Sequence, residues 1–73
     1  MQVSIYTEYI ALDALLKLSG ICGTGGHAKM LILDGGVNVN GEACTVQRKK
    51  IRPGDVVLLE GQTLTVVRET ADI

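Results

Sequence analysis

Tryptophan and phenylalanine are absent from this 73-residue chain, and Tyr6 and Tyr9 are its only aromatic residues. That poverty excludes the aromatic platform on which proteins stack splayed single-stranded bases. No apolar run approaches the ~20 residues that span a bilayer. The N-terminus also lacks the basic-then-apolar pattern of a secretory signal. A cytoplasmic protein with no membrane partner is expected. Cys22 and Cys44 are the only cysteines, with His27 as the one further soft ligand. Three such residues are too few for a structural zinc site, which takes four. Both a disulfide and a pair of reduced, partly buried thiols fit the spacing; the reduced pair suits a reducing compartment.

A surplus of positive charge is lacking too, since the formal net charge is −1. The distribution matters more than the sum. Between Ala43 and Gly54 stand Arg48, Lys49, Lys50 and Arg52 with no acid, whereas the rest of the chain holds three bases and eight acids. A locally basic face on an acidic protein still attracts a polyanion, without the long-range steering of a basic protein. With 47% apolar residues the chain has the means to fold, and its length suits one domain spanning residues 1–73 that buries about 60% of its unfolded surface.

Gln2 to Tyr6 alternates as an edge strand, Val3 and Ile5 on one face. Leu12, Leu15 and Leu16 repeat at helical spacing through Leu18, with Asp13 and Lys17 four apart in the favourable acid-first order. Gly20 is the expected stop. Thr24 is the expected N-cap of a second helix whose apolar stripe is Ala28, Leu31 and Ile32 and whose end is set by Gly35-Gly36. Val37 to Val39 and Glu42 to Thr45 then flank Asn40-Gly41, a type I′ hairpin signal. Pro53-Gly54 suits a type II turn. Val56 to Leu59 and Thr63 to Arg68 are the last strands, reversed at Glu60-Gly61, and a loose tail is expected over residues 69–73. Two helices joined by so few residues must fold back on each other, which gives an α+β domain with two packed helices against a small, mainly antiparallel sheet.

The order helix, DGGVNVNGE, basic loop, IRPGDVV resembles the S-four RNA-binding domain, or alpha-L motif, of a small-subunit ribosomal protein, pseudouridine synthases and bacterial tyrosyl-tRNA synthetases. Leu12-Asp13 with Leu16-Lys17, and Thr24-Gly25-Gly26 with Ala28-Lys29, extend the resemblance to the small stand-alone S-four-like proteins of bacteria. It covers roughly Leu12 to Leu59. The resemblance implies an alpha-L fold and binding of structured RNA, ribosomal or transfer RNA, by phosphate backbone and shape. It further implies a place in ribosome assembly or translation, with the ribosome as a possible partner and a monomer expected. Many S-four domains carry an arginine before the Leu-Asp pair and basic residues in the first turn of the second helix. This chain has Ala11 and Gly25-Gly26 there, which shifts the expected contact toward the loop after Cys44.

Lys17, Lys29, Arg48, Lys49, Lys50 and Arg52 are the cations able to neutralise phosphates, against the reading that they are simply solvated charge. Thr24, Gly25, Gly26 and His27 open the second helix with unpaired amides that favour an anion; the competing reading makes the glycines a close-packing device against helix one. His27 is an exposed first-turn residue able to donate to a phosphate. Asn38 is a further candidate contact, equally explained as exposed strand polarity. Asp34 and Asp55 read as helix-end and turn hydrogen-bond acceptors. No serine or cysteine stands beside a base, no carboxylate pair is suitably spaced, and no phosphate-loop signature is present. The chain is therefore expected to be neither an enzyme nor a holder of any cofactor or metal. Two other classes stand beside RNA binding: a β-grasp sulfur carrier, which needs a C-terminal Gly-Gly where this chain ends Ala71-Asp72-Ile73, and a protein-interaction module using the acidic remainder of the surface.

Overall fold

Alternation at the N-terminus forms strand β1 (Gln2–Ile5), which turns Val3 and Ile5 inward and leaves Gln2 and Ser4 outside. The computed structural model describes residues 1–69. After β1 come β2 (Ile10–Ala11), α1 (Leu12–Leu18), α2 (Gly25–Leu33), β3 (Val37–Val39), β4 (Glu42–Ala43), β5 (Lys50–Ile51), β6 (Val56–Leu59) and β7 (Gln62–Arg68). The strands make a five-stranded sheet of order β1-β7-β6-β3-β4 and a separate pair, β2 with β5. Only β1 with β7 runs parallel; the other pairings are antiparallel. The α+β architecture with a mainly antiparallel sheet and β1 at its edge is thus the one the sequence implies.

The helices bury what their spacing predicts. Leu12, Leu15 and Leu16 from α1 and Ala28 and Ile32 from α2 are fully enclosed, with Leu31 packed half-buried beside them. They meet Val37, Val57, Leu59, Leu64 and Val66 of the sheet and Ile51 of β5 in one core. Each large aliphatic so enclosed is worth about 1.5–3 kcal/mol relative to exposure. Among the described residues no polar or charged side chain is buried, and no helix is long and apolar enough to cross a membrane.

The turns carry their sequence signals into geometry. Asn40 (φ 52°) and Gly41 (φ 86°) both take positive φ, as a type I′ hairpin requires. At the Pro53-Gly54 turn the Asp55 N–H donates to the Arg52 carbonyl at 3.0 Å, with Gly54 at φ 95°. The end of α2 is a Schellman motif: Gly36 N–H donates to Leu31 O (3.0 Å) and Gly35 N–H to Ile32 O (3.1 Å). The chain passes so close that a Cβ on Gly36 would lie 2.9 Å from Leu31 Cδ1 and 3.3 Å from the Leu31 carbonyl oxygen.

Three expectations change. The strand expected over Glu42 to Thr45 runs only over Glu42–Ala43, although the Cys44 N–H still donates to Val37 O at 2.9 Å, in continuation of the β3–β4 register, and its side chain is buried. The basic segment is not one loop: Lys50 and Ile51 form β5, paired with Ala11 and Ile10. Glu69, expected to begin a loose tail, is held, its N–H on Ile5 O (2.8 Å) and its carboxylate accepting from Ser4 Oγ (3.3 Å) and Tyr6 Oη (3.1 Å). Residues 70–73 of that tail lie outside the described residues.

Candidate nucleic-acid interface

Helix α1 has no side-chain cap; its N-cap is Ala11, which cannot supply one. The first-turn amides, which need partners, are met from the far side of the sequence: Leu12 N–H donates to Lys49 O (2.9 Å) and Asp13 N–H to Gln47 O (3.1 Å). Asp13 reciprocates, since its Oδ2 accepts from Gln47 Nε2 at 3.0 Å and its Oδ1 from Ala14 N–H at 2.8 Å. The segment is tightened by a turn, Lys49 N–H to Val46 O at 3.2 Å, and finished by the β2–β5 pairing of Ala11 with Lys50. The basic segment is therefore bolted across the start of α1.

Helix α2 begins as the sequence predicts. Thr24 sits in extended conformation (φ −139°, ψ 159°) and its Oγ1 accepts from His27 N–H at 3.1 Å. The close-packing reading of the glycines is overturned: a Cβ on Gly25 would meet nothing within 4 Å, and one on Gly26 only Thr24 Oγ1 at 3.9 Å. The Gly25 and Gly26 amides have no hydrogen-bond partner among the described residues. This end of the helix carries unpaired N–H groups, the positive end of its dipole and no bulk.

The two arrangements face one cleft of about 420 Å³, lined by Ala11, Asp13, Ala14, Lys17, Gly25 and Arg48. Ala11 and Gly25, the positions that lack the basic residues of many S-four domains, are both in it. Lys17 and Arg48 both line it and supply its charge, and Asp13, which also lines the cleft, has its carboxylate engaged by Gln47 and Ala14. Lys29 lies four residues beyond Gly25, on the same face of α2.

The remaining candidates stand outside this cleft. Lys49 lines a smaller hollow of about 250 Å³ with Glu42, Cys44 and Val46. Lys50 holds its Nζ 4.8 Å from the centre of the Tyr9 ring, a cation–π contact. Arg52 is exposed at the Pro-Gly turn, its N–H donating to Asp55 Oδ2 at 2.8 Å. Asp55 Oδ1 in turn accepts from Asn40 Nδ2 (3.1 Å), and Asn40 Oδ1 accepts from Val56 N–H (2.9 Å), so the two turns are locked together. Asn38 is half-buried on β3, in register with Leu58 and Ala43.

Sequence reasoning missed Gln47, which had no signal of its own, and gave Asp13 a pairing with Lys17 while its carboxylate serves Gln47. Tyr6 and Tyr9 carried no expectation beyond their scarcity. Both are exposed: Tyr6 lies against Glu69, whose hydrogen bond and charge raise its phenol above the usual tyrosine value, and Tyr9 lies under Lys50. Cys22 and Cys44 are free and buried; burial, then the negative charge of Glu60, pushes the Cys22 thiol up. Among the described residues no cluster of three or more His, Cys, Asp or Glu is placed to hold a metal.

Comparison with known proteins bears on the family and the fold. The S4 domain model matches residues 3–67. A probable ribosome maturation protein, RlbA of Bacillus subtilis, is 41% identical over 59 residues, which cover 81% of this chain and 83% of that protein. YbcJ of Escherichia coli is 39% identical over 59 residues, covering 81% of this chain and 84% of its own length. The solution structure of YbcJ, described as revealing an αL motif involved in RNA binding, superposes with a TM-score of 0.71 at 36% identity, covering 90% of this chain and 85% of that one. With a family match over nearly its whole length, a shared fold and relatives at this identity, the chain belongs to the S4 domain family.

Proposed function

We propose that this protein binds structured RNA, ribosomal or transfer RNA, by its phosphate backbone and shape, as a cytoplasmic single-domain binding protein without catalysis, acting in ribosome assembly or translation. The observation that carries the reading is the cleft in which Lys17, Arg48 and the bulk-free start of α2 at Gly25 converge. Two cations and unpaired helix amides around one opening form a site for consecutive phosphates, with contacts that position an RNA without reading its bases. Lys29 along α2 and Lys49, Lys50 and Arg52 along the basic segment extend the track on either side. Thr24 and His27 shape its helix end, and Asn38 is the peripheral member. The names of RlbA and YbcJ support the ribosome and RNA parts of the reading, and two buried free thiols suit a reducing compartment.

Photo-crosslinking to a 4-thiouridine-substituted structured RNA tests the assignment. Cross-linked peptides are expected from residues 11–29 and 46–52. Cross-links confined to the outer face of the sheet, around Val56 and Leu58, would overturn it.

A further inference from the structure

A second opening adjoins the cationic cleft and differs from it in chemistry. It measures about 520 Å³ and is lined by Ile10, Ala14, Lys17 and Leu18. Ala14 and Leu18 lie four apart on one face of α1, Lys17 lies beside them, and Ile10 of β2 completes the lining. Apart from Lys17 the lining is apolar. Leu18 is 58% exposed although its neighbours Leu15 and Leu16 are fully enclosed, so it is an apolar side chain the core does not use.

The two openings share Ala14 and Lys17. Lys17 thus stands on the common rim, able to hold a phosphate whose own nucleoside lies on the apolar side. A ligand matching both chemistries carries an anion next to a weakly polar body, and a nucleotide is one. We propose that the Ile10–Ala14–Leu18 hollow receives one unpaired base of an RNA whose backbone follows the cationic cleft, so that the protein prefers a helix interrupted by a bulge or loop to a continuous duplex. The inference rests on the RNA-binding reading above and adds to it a class of RNA. A base that is already unpaired enters at little cost, whereas a paired one must first be unstacked. The discrimination is by shape and apolar contact, so base identity matters little.

The test uses the whole protein and two labelled hairpins identical except for one unpaired 2-aminopurine in the stem. Wild type is expected to bind the bulged hairpin about tenfold more tightly, from covering apolar surface that the paired hairpin leaves open, with a change in 2-aminopurine fluorescence on binding. Leu18→Ser, which removes an exposed side chain outside the core, is expected to bring that ratio to about one while leaving the paired hairpin's affinity unchanged. Equal affinity of wild type for the two hairpins, or a preference that Leu18→Ser leaves intact, would overturn the base site and leave the RNA-binding reading standing. Failure to bind either hairpin would overturn both.

Discussion

Gln47 and Asp13, 34 residues apart, hold each other twice: the Asp13 N–H donates to the Gln47 carbonyl at 3.1 Å, and the Gln47 amide donates to the Asp13 carboxylate at 3.0 Å. The pair replaces the side-chain cap that Ala11 cannot give α1 and holds the segment that carries Arg48 to the helix whose Lys17 lines the same cleft. Asp13→Ala is expected to cost about 1.5–3 kcal/mol by urea unfolding, the range for a hydrogen bond to a charged group. Gln47→Ala should cost less. The double variant should fall short of their sum by about 1 kcal/mol, as coupled neighbours do. Strict additivity would show that the contact does not hold that segment.

Substitution at Gly25 is expected to separate stability from binding. An aspartate there meets open space and adds a negative charge to the start of α2, which favours the helix by about 0.3–1 kcal/mol. The same charge lines the cationic cleft. Gly25→Asp is therefore expected to leave the melting temperature unchanged or raised while RNA affinity falls severalfold at low salt. Loss of both together would mean that the glycine serves the fold.

Gly36 should behave in the opposite way. Its added Cβ would press on the Leu31 side chain, which can shift, and on the Leu31 carbonyl, which the Gly36 amide holds in place. Gly36→Ala is expected to destabilise by about 1–3 kcal/mol, visible as a lower urea midpoint, with the salt dependence of RNA binding by the folded fraction unchanged.

What the sequence made legible and what it hid divide along a physical line. Asn40-Gly41, Pro53-Gly54 and Thr24 announced themselves because turn and cap chemistry is local: a positive φ or an orphan amide demands a particular residue type within three positions. The helices and long strands followed from periodicity. The β2–β5 pair was invisible, because two residues on each side give no pattern, and what aligns them is a set of bonds from Leu12 and Asp13 to carbonyls of Gln47 and Lys49. The same bonds decide which basic residue faces the cleft. Sequence grouped Arg48 to Arg52 as one patch; the fold puts Arg48 on the cleft that Lys17 also lines, Lys49 on a separate hollow and Lys50 over Tyr9.

The thiols give a pH signature. Cys22 is 1% exposed and its pKa is raised by burial and by Glu60. A raised acid pKa means the folded state keeps its proton when the unfolded chain has lost it. The stability it supports is thus fully present below about pH 8.5, the ordinary thiol value, and is lost as pH rises from there toward the folded value. Native Cys22 should resist alkylation at pH 8 and react on unfolding, and Cys22→Ala should flatten the loss of stability between pH 8 and 10. Rapid labelling of both thiols in the folded protein would contradict the burial.

The most direct test of the RNA-binding cleft is affinity for a structured RNA across a salt series, comparing wild type with Lys17→Gln/Arg48→Gln. Contact with four to six phosphates predicts that log affinity falls linearly with log salt with a slope of about −3 to −5, and that removing the two cations makes the slope shallower by about 1.5 to 2. An RNA that binds with the same slope in both proteins, or that fails to bind wild type at low salt, would contradict the account.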